Sequence, residues 1–122
     1  MKYDWTDECF LSQKGASKDF KAEWGWTRYL IHEKMFGAVC YDNGDRTKPV
    51  YLTLKCEPNE SEFLRTQYSD IIPGYYMNKE HWISIKVNGD VPNELVRELI
   101  IKSYLLVLKG FSKKAQAEIN AQ

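Results

Sequence analysis

The chain has 122 residues, of which 43% are hydrophobic, 28% charged and 14% aromatic, and this composition excludes a disordered or fibrous protein. The length is that of one domain, which we expect to span residues 1–122. Seventeen basic residues balance seventeen acidic ones, so the chain lacks the strong basic excess of many nucleic-acid-binding domains, and any contact with nucleic acid must be local.

The pattern of apolar residues and turn residues predicts an α+β protein with two layers, in which helices pack on an antiparallel sheet. Turns at 42–45 and 88–89 separate strands or end them, and the prolines at positions 58 and 92 suit the first turns of helices. The order is α-β-β-β-α-β-β-α, with helices at about 4–14, 58–68 and 92–109 and strands at about 26–31, 35–41, 50–55, 75–78 and 82–87. The polar tail from Ser112 is expected to fray.

The last predicted helix is the expected main core element, because its apolar residues cover an unusually wide surface. It begins after Asp90, a residue that suits a helix cap. In the preceding strand, Trp82 is expected to be substantially buried, as the large apolar member of an alternating pattern.

Sequence signatures of catalysis, metal binding and cofactor binding are absent. The only histidines are His32 and His81, and the cysteines Cys9, Cys40 and Cys56 lack close CxxC spacing, so reduced and buried thiols are expected. No GxSxG, GxGxxG or GxxxxGK motif occurs. We therefore predict a non-enzymatic protein without metal or cofactor, although His81 could still meet Cys56 or Ser84 in the folded chain.

The location predicted from the sequence is cytoplasmic, with no membrane segment. The first seven residues carry charges at Lys2, Asp4 and Asp7 and contain no apolar run. The longest apolar stretch, residues 99–108, is interrupted by Lys102 and is much shorter than the roughly 20 residues that span a bilayer.

Two sets of residues are candidates for a binding surface. Basic residues beside aromatic ones on the hairpins could contact phosphates, and these are Lys34, Arg46, Lys48, Lys55, Lys79 and His81. A second set could line an apolar groove for a protein or a small ligand, and it comprises Trp24, Trp26, Tyr75 and Tyr76. A structural explanation also suffices for the basic set, with Lys79 covering the Trp82 ring and the loop residues keeping the hairpins in solvent.

The segment Pro73-Gly74-Tyr75-Tyr76-Met77-Asn78-Lys79-Glu80-His81-Trp82 resembles the PGY-x-x-NK-x-HW signature of the MmcQ/YjbR family. Leu52-Thr53-Leu54-Lys55-Cys56-Glu57-Pro58 is similar to the SLKC-x-P segment of that family, and Met35-Phe36-Gly37-Ala38 resembles its KMFAL strand. The resemblance covers about residues 9–114. It fails at Trp24-Gly25-Trp26, where many members carry a Pro-Phe-Gly type segment, so a surface formed there is expected to differ from theirs.

The resemblance implies a compact α+β domain with an antiparallel sheet, and members are commonly described as DNA-binding proteins with a double-wing motif. The first hypothesis is therefore weak binding of double-stranded DNA, with little sequence specificity, through the basic set on the hairpins. The alternative is an interaction module that uses the aromatic set and binds no nucleic acid.

Overall fold

A computed structural model describes residues 2–122, and within them one antiparallel sheet and four helices confirm the predicted α+β class. The sheet has six strands in the order β1-β2-β3-β4-β6-β5. The elements are α1 (Thr6–Leu11), β1 (Ala16–Lys21), β2 (Trp26–Ile31), β3 (Lys34–Asp42), β4 (Asp45–Lys55), α2 (Pro58–Gln67), β5 (Ile71–Pro73), β6 (Trp82–Lys86), α3 (Asn93–Leu108) and α4 (Lys113–Asn120).

Three elements were missed in the sequence prediction or assigned to the wrong residues. Strand β1 is additional and pairs with β2 at the sheet edge, where Ser17, Lys18 and Asp19 are exposed and give no apolar alternation. The partner strand of β6 is β5, and residues 75–78 belong to a loop. The tail forms α4 because Ser112 Oγ accepts the Ala115 N–H at 3.1 Å and Ile119 is fully buried.

Helix α3 lies across β3 and β4 and forms the main core, as predicted. Val96, Leu99 and Ile100 of this helix belong to one buried cluster with Leu52 and Leu54 of the sheet. The helix begins after Pro92, and no side chain caps it. The expected cap, Asp90, instead donates its backbone N–H to Asp70 Oδ2 at 2.9 Å.

Helix α1 is fixed to the sheet by the ring of Phe10. The ring stacks on Tyr29 with centroids 4.0 Å apart and meets Phe36 edge-on at 5.8 Å. Gly37 lies directly beneath it, and an added Cβ there would lie only 2.8 Å from Phe10 Cζ. A glycine in the middle of β3 therefore makes room for an aromatic ring from another element.

Ser103 joins α3 to two strands through one buried hydroxyl. Its Oγ donates to the Phe36 carbonyl oxygen of β3 and accepts the Lys55 N–H of β4 at 2.8 Å. The hydroxyl therefore satisfies two backbone groups at the end of the β3–β4 ladder.

The sheet face turned away from α3, called the open face below, carries a second apolar cluster. Trp26, Ala38 and Cys40 are buried there, with Tyr51, Tyr75 and Met77 packed against them. Strand alternation puts Ile83 and Ile85 into the main core, so Trp82 shares the open face with Ser84. Trp82 is accordingly only partly buried and is not the core residue that the alternating pattern suggested.

Candidate aromatic binding cleft

A cleft of about 360 Å³ lies on the open face, and all four residues of the predicted aromatic set line it. We call it the aromatic cleft. It lies between the β1–β2 turn (residues 22–25), the β3–β4 turn (43–44) and the loop from 74 to 81, called the cover loop. Its lining residues are Trp24, Trp26, Tyr41, Asn43, Gly44, Tyr75, Tyr76 and Met77.

Two glycine turns bring the tryptophan side of the cleft together. Gly25 and Gly44 both have left-handed backbones, with φ of 69° and 74°. A Cβ on Gly25 would lie 3.0 Å from the Gly44 Cα, so the two turns approach backbone to backbone. The rings of Trp24 and Trp26 then meet at 73° with centroids 5.5 Å apart. Trp26 is 5% exposed and forms the base of the cleft.

The cover loop is held on the sheet by hydrogen bonds from its first two residues. The Gly74 N–H donates to the Trp82 carbonyl oxygen at 2.8 Å, and the Tyr75 N–H donates to Ser84 Oγ at 2.8 Å. Ser84 Oγ in turn lies 2.8 Å from Thr53 Oγ1, in a buried pair of hydroxyls. These contacts hold the Tyr75 ring against Tyr51, with centroids 4.8 Å apart.

Tyr76 combines an exposed ring with an unusual backbone. Its φ is 57°, a left-handed value that bulky residues rarely adopt, and its ring centroid is 4.4 Å from that of Tyr75. The residue is 82% exposed, and Trp24 opposite is 48% exposed. Uncommon backbone conformations of this kind are frequent at functional sites, so Tyr76 is a candidate ligand contact.

The lining of the aromatic cleft contains no acidic side chain, and cations lie close to one of its rings. Lys21 Nζ and Arg28 Cζ are each 5.5 Å from the Trp24 ring centroid. Arg28 makes two hydrogen bonds to Asp19, of 2.9 and 2.6 Å, and Lys21 lies 3.3 Å from a Glu23 carboxylate oxygen. Each of the two cations near Trp24 is therefore paired with a carboxylate of the chain.

Two titratable groups next to the cleft, the Tyr75 phenol and the Cys40 thiol, are held in their neutral forms. Partial burial and the neighbouring Tyr76 hydroxyl raise the pKa of Tyr75. Burial raises the pKa of the Cys40 thiol to about 12. At neutral pH the phenol and the thiol are both protonated.

The predicted basic set is not brought together. Lys34, Lys55, Lys79 and His81 lie at one end of the sheet, and Arg46 and Lys48 lie at the other. The nine residues of β3 separate these ends by about 26 Å.

Several members of the basic set contact groups of the chain itself. The Arg46 guanidinium lies 3.5 Å from the Phe20 ring centroid, Lys34 Nζ lies 5.9 Å from that of Phe111, and Lys48 Nζ lies 4.0 Å from an Asp45 oxygen. Lys79 and His81 are exposed. Lys55 and His81 line a groove of about 490 Å³ together with Lys109.

Cys56 and His81 do meet, through the backbone. The Cys56 N–H donates to the His81 carbonyl oxygen at 2.8 Å, whereas the thiol faces Glu60, with Sγ and Oε1 3.8 Å apart. Burial, followed by the Glu60 carboxylate, raises the pKa of this thiol to about 12. All three cysteines are buried, as predicted. In the described part of the chain no three His, Cys, Asp or Glu side chains are grouped to hold a metal ion.

Four lining residues were not anticipated from the sequence: Tyr41, Asn43, Gly44 and Met77. Asn43 and Gly44 were recognised only as a turn, and their place opposite Trp24 depends on the close approach of the two glycine turns. Met77 lies in the segment 75–78, which was predicted to be a strand.

The sequence profile of the YjbR family matches residues 11–106. The chain belongs to the YjbR family. Its relatives include the Escherichia coli K12 protein YjbR, 28% identical over 94 residues, which are 77% of this chain and 76% of that protein. YbdF of Escherichia coli O157:H7 is 38% identical over 69 residues. This match spans 57% of each of the two proteins. The names of these YjbR-family proteins state no ligand or activity.

Solved structures show the same YjbR-type fold. The Deinococcus radiodurans protein DR2400, which contains a DUF419 domain, superposes with a TM-score of 0.83 at 31% identity, over 96% of this chain and 86% of that one. A Pseudomonas syringae protein superposes with a TM-score of 0.72 at 23% identity, over 87% of this chain and 98% of that one, and shows the fold alone. Among residues 2–122, no helix has the length and apolar character needed to cross a bilayer.

Proposed function

We propose that this YjbR-family domain is a non-enzymatic binding module whose aromatic cleft takes the flat, apolar part of a small ligand. The observation that carries the proposal is the convergence of Trp24 and Trp26 with Tyr75 and Tyr76, which are about fifty positions away in the sequence. Ligand sites are typically concave, largely apolar and lined by a few polar groups, and Asn43 and the tyrosine hydroxyls supply such groups here.

The area of exposed aromatic ring that a ligand can cover determines the affinity that we expect. A ligand that covers about 150 Å² of aromatic surface gains about 4 kcal/mol from burial, at about 25 cal/mol per Å². The ligand's own buried surface adds a further gain, and the loss of translational and rotational freedom offsets an amount of the same order, so a single-ring compound should bind with a Kd of about 1 mM. Larger ligands that also contact Asn43 should bind more tightly.

The cleft can be tested by an NMR titration with indole, because the chain carries four tryptophan indole N–H groups in different places. The signals of Trp24 and Trp26 should shift and saturate, whereas those of Trp5 and Trp82, which do not line the cleft, should stay in place. An unchanged spectrum at about 10 mM indole, roughly tenfold above the expected Kd, or equal shifts of all four signals, would refute the proposal.

Substituting Tyr76 separates binding from folding. Tyr76→Gly should weaken indole binding at least fivefold, because one of the two exposed rings is lost. Stability should change by less than about 0.5 kcal/mol, since glycine accepts the left-handed φ of 57° and the side chain is exposed. The matched control is Phe63→Ala, which removes a 61% exposed ring outside the cleft and should leave the NMR titration unchanged. Loss of binding in both variants would contradict a local site.

A second candidate function is the weak, poorly sequence-specific binding of double-stranded DNA, which the family resemblance implies. The observation in its favour is the groove at one end of the sheet on which Lys55, His81 and Lys109 converge, and which Glu57, 4.0 Å from Lys109 Nζ, also lines. The balanced charge of the chain limits the number of phosphate contacts, so binding should be weak.

Salt titration of duplex binding tests this second function. With contacts from Lys55, Lys79 and Lys109, the slope of log affinity against log salt should be near −3, and each Lys→Ala change at these positions should make it shallower by about one unit. Because Lys48 lies at the opposite end of the sheet, an unchanged slope in Lys48→Ala would restrict binding to the Lys55 groove. No salt-dependent association at about 50 mM salt would exclude DNA binding and leave the aromatic cleft unaffected.

A further inference from the structure

We infer that the aromatic cleft selects a planar ring that carries an anionic group, such as a carboxylate, over the same ring with an ammonium group, and that Lys21 determines this preference. The inference rests on the proposed function, because it names the class of ligand for the same cleft.

A cluster of tryptophan and tyrosine rings would by itself favour a cation, since the faces of aromatic rings attract positive charge. In this cleft the Trp24 ring already attracts two cations of the chain itself. Lys21 Nζ and Arg28 Cζ both lie 5.5 Å from the Trp24 centroid, so a ligand cation beside Trp24 would meet two like charges. Each cation is paired with a carboxylate, Arg28 with Asp19 and Lys21 with Glu23, and none of these four residues is part of the cleft lining.

The two cations differ in how firmly they are paired. The Arg28 guanidinium is occupied by two hydrogen bonds to Asp19, and its side chain is 17% exposed. Lys21 has a looser partner, because the Glu23 side chain is 73% exposed and lies 3.3 Å away. An exposed ion pair of this kind contributes little free energy to stability. Lys21 can therefore leave Glu23 in solvent and turn to an anionic ligand.

The polar groups of the lining also suit an anion. The Asn43 amide and the hydroxyls of Tyr75 and Tyr76 can each donate a hydrogen bond. The raised pKa of Tyr75 keeps its phenol protonated, and therefore a donor, well above neutral pH. The Tyr41 hydroxyl is already paired with Thr27 Oγ1 at 2.7 Å and contributes less.

The experiment compares one ring with three charges: indole-3-acetate, indole and tryptamine, each titrated against the intact chain while the Trp24 and Trp26 indole signals are followed. Indole-3-acetate should bind at least fivefold more tightly than tryptamine at about 20 mM salt, with indole between them. Because the preference is electrostatic, the ratio should fall toward one at about 0.5 M salt.

Two variants assign the preference to a residue. Lys21→Met keeps the aliphatic stem and should at least halve the ratio of the affinities for indole-3-acetate and tryptamine. Lys113→Met removes an exposed lysine on α4, outside the cleft, and should leave the ratio unchanged. An unchanged ratio in Lys21→Met would overturn the role of Lys21.

Tryptamine binding as tightly as indole-3-acetate, while indole still binds, would overturn the charge preference and leave the proposed function standing. If none of the three compounds shifts the two signals, both proposals are wrong.

Discussion

Replacing Gly37 with alanine should lower the free energy of unfolding by about 3 kcal/mol, measured by chemical denaturation. The new methyl group would overlap the Phe10 ring, whose Cζ lies 2.8 Å from the Cβ position. That ring cannot retreat, because it is fully buried between Tyr29 and Phe36. The loss therefore comes from overpacking in the main core, and the aromatic cleft on the other face should still bind indole.

A double-mutant cycle identifies the cause of this loss. In a Phe10→Leu background, Gly37→Ala should cost clearly less, because the smaller side chain leaves space for the methyl group. Gly110→Ala is the control, since its Cβ would lie 3.3 Å from the Val107 carbonyl oxygen and needs only a small adjustment. Equal costs of Gly37→Ala in both backgrounds would show that the ring overlap is not responsible.

Replacing Ser103 with alanine should also cost about 3 kcal/mol, since two backbone groups lose their partner at once. The Phe36 carbonyl oxygen and the Lys55 N–H both bind the Ser103 hydroxyl, and the serine is fully buried. Thermal unfolding measures the loss, and hydrogen exchange at the Lys55 amide should become faster.

The control for this substitution is Ser61→Ala, which removes another buried hydroxyl. Ser61 is 1% exposed, and its Oγ accepts only a long hydrogen bond of 3.3 Å from Arg65 Nε. Its loss should cost about 1 kcal/mol or less. Equal melting temperatures for the two variants would contradict the bridging role of Ser103.

Sequence reasoning succeeded where an element buries one regular face. Strands β2, β3 and β6 and helices α2 and α3 lie within about two residues of their predicted bounds, because β-branched residues, turns and prolines delimit them locally. Strand β4 begins at Asp45, five residues earlier than predicted, because its first residues pair with β3 although they are exposed and polar.

The remaining errors arise from contacts between distant segments. Edge strand β1 exposes polar residues, and the three residues of β5 are too few to show a pattern. An alternating strand can bury either face, and the sequence pattern alone does not show which one. Trp82 was therefore expected in the core, whereas the sheet arrangement buries Ile83.

The candidate site was predictable in composition and not in geometry. The groove was proposed because tryptophans and tyrosines are favoured at binding surfaces, and its four proposed residues do share one cleft. The separation of Lys34 from Lys48 was implicit in the predicted strand order, because consecutive hairpin turns of antiparallel strands lie at opposite ends of a sheet. By contrast, no local pattern indicates that the turns at Gly25 and Gly44 touch.

The sheet keeps the two apolar clusters on separate faces, and this arrangement affects how the protein can change. Apart from Gly25 and Gly44, whose left-handed turns touch, residues of the β1–β2 turn, the β3–β4 turn and the cover loop can be exchanged with little effect on the packing of α3 against β3 and β4. Mutations on the two faces should then be close to additive, because they share few contacts. Ligand specificity could therefore diverge, by natural variation or by engineering, in a scaffold whose stability stays the same.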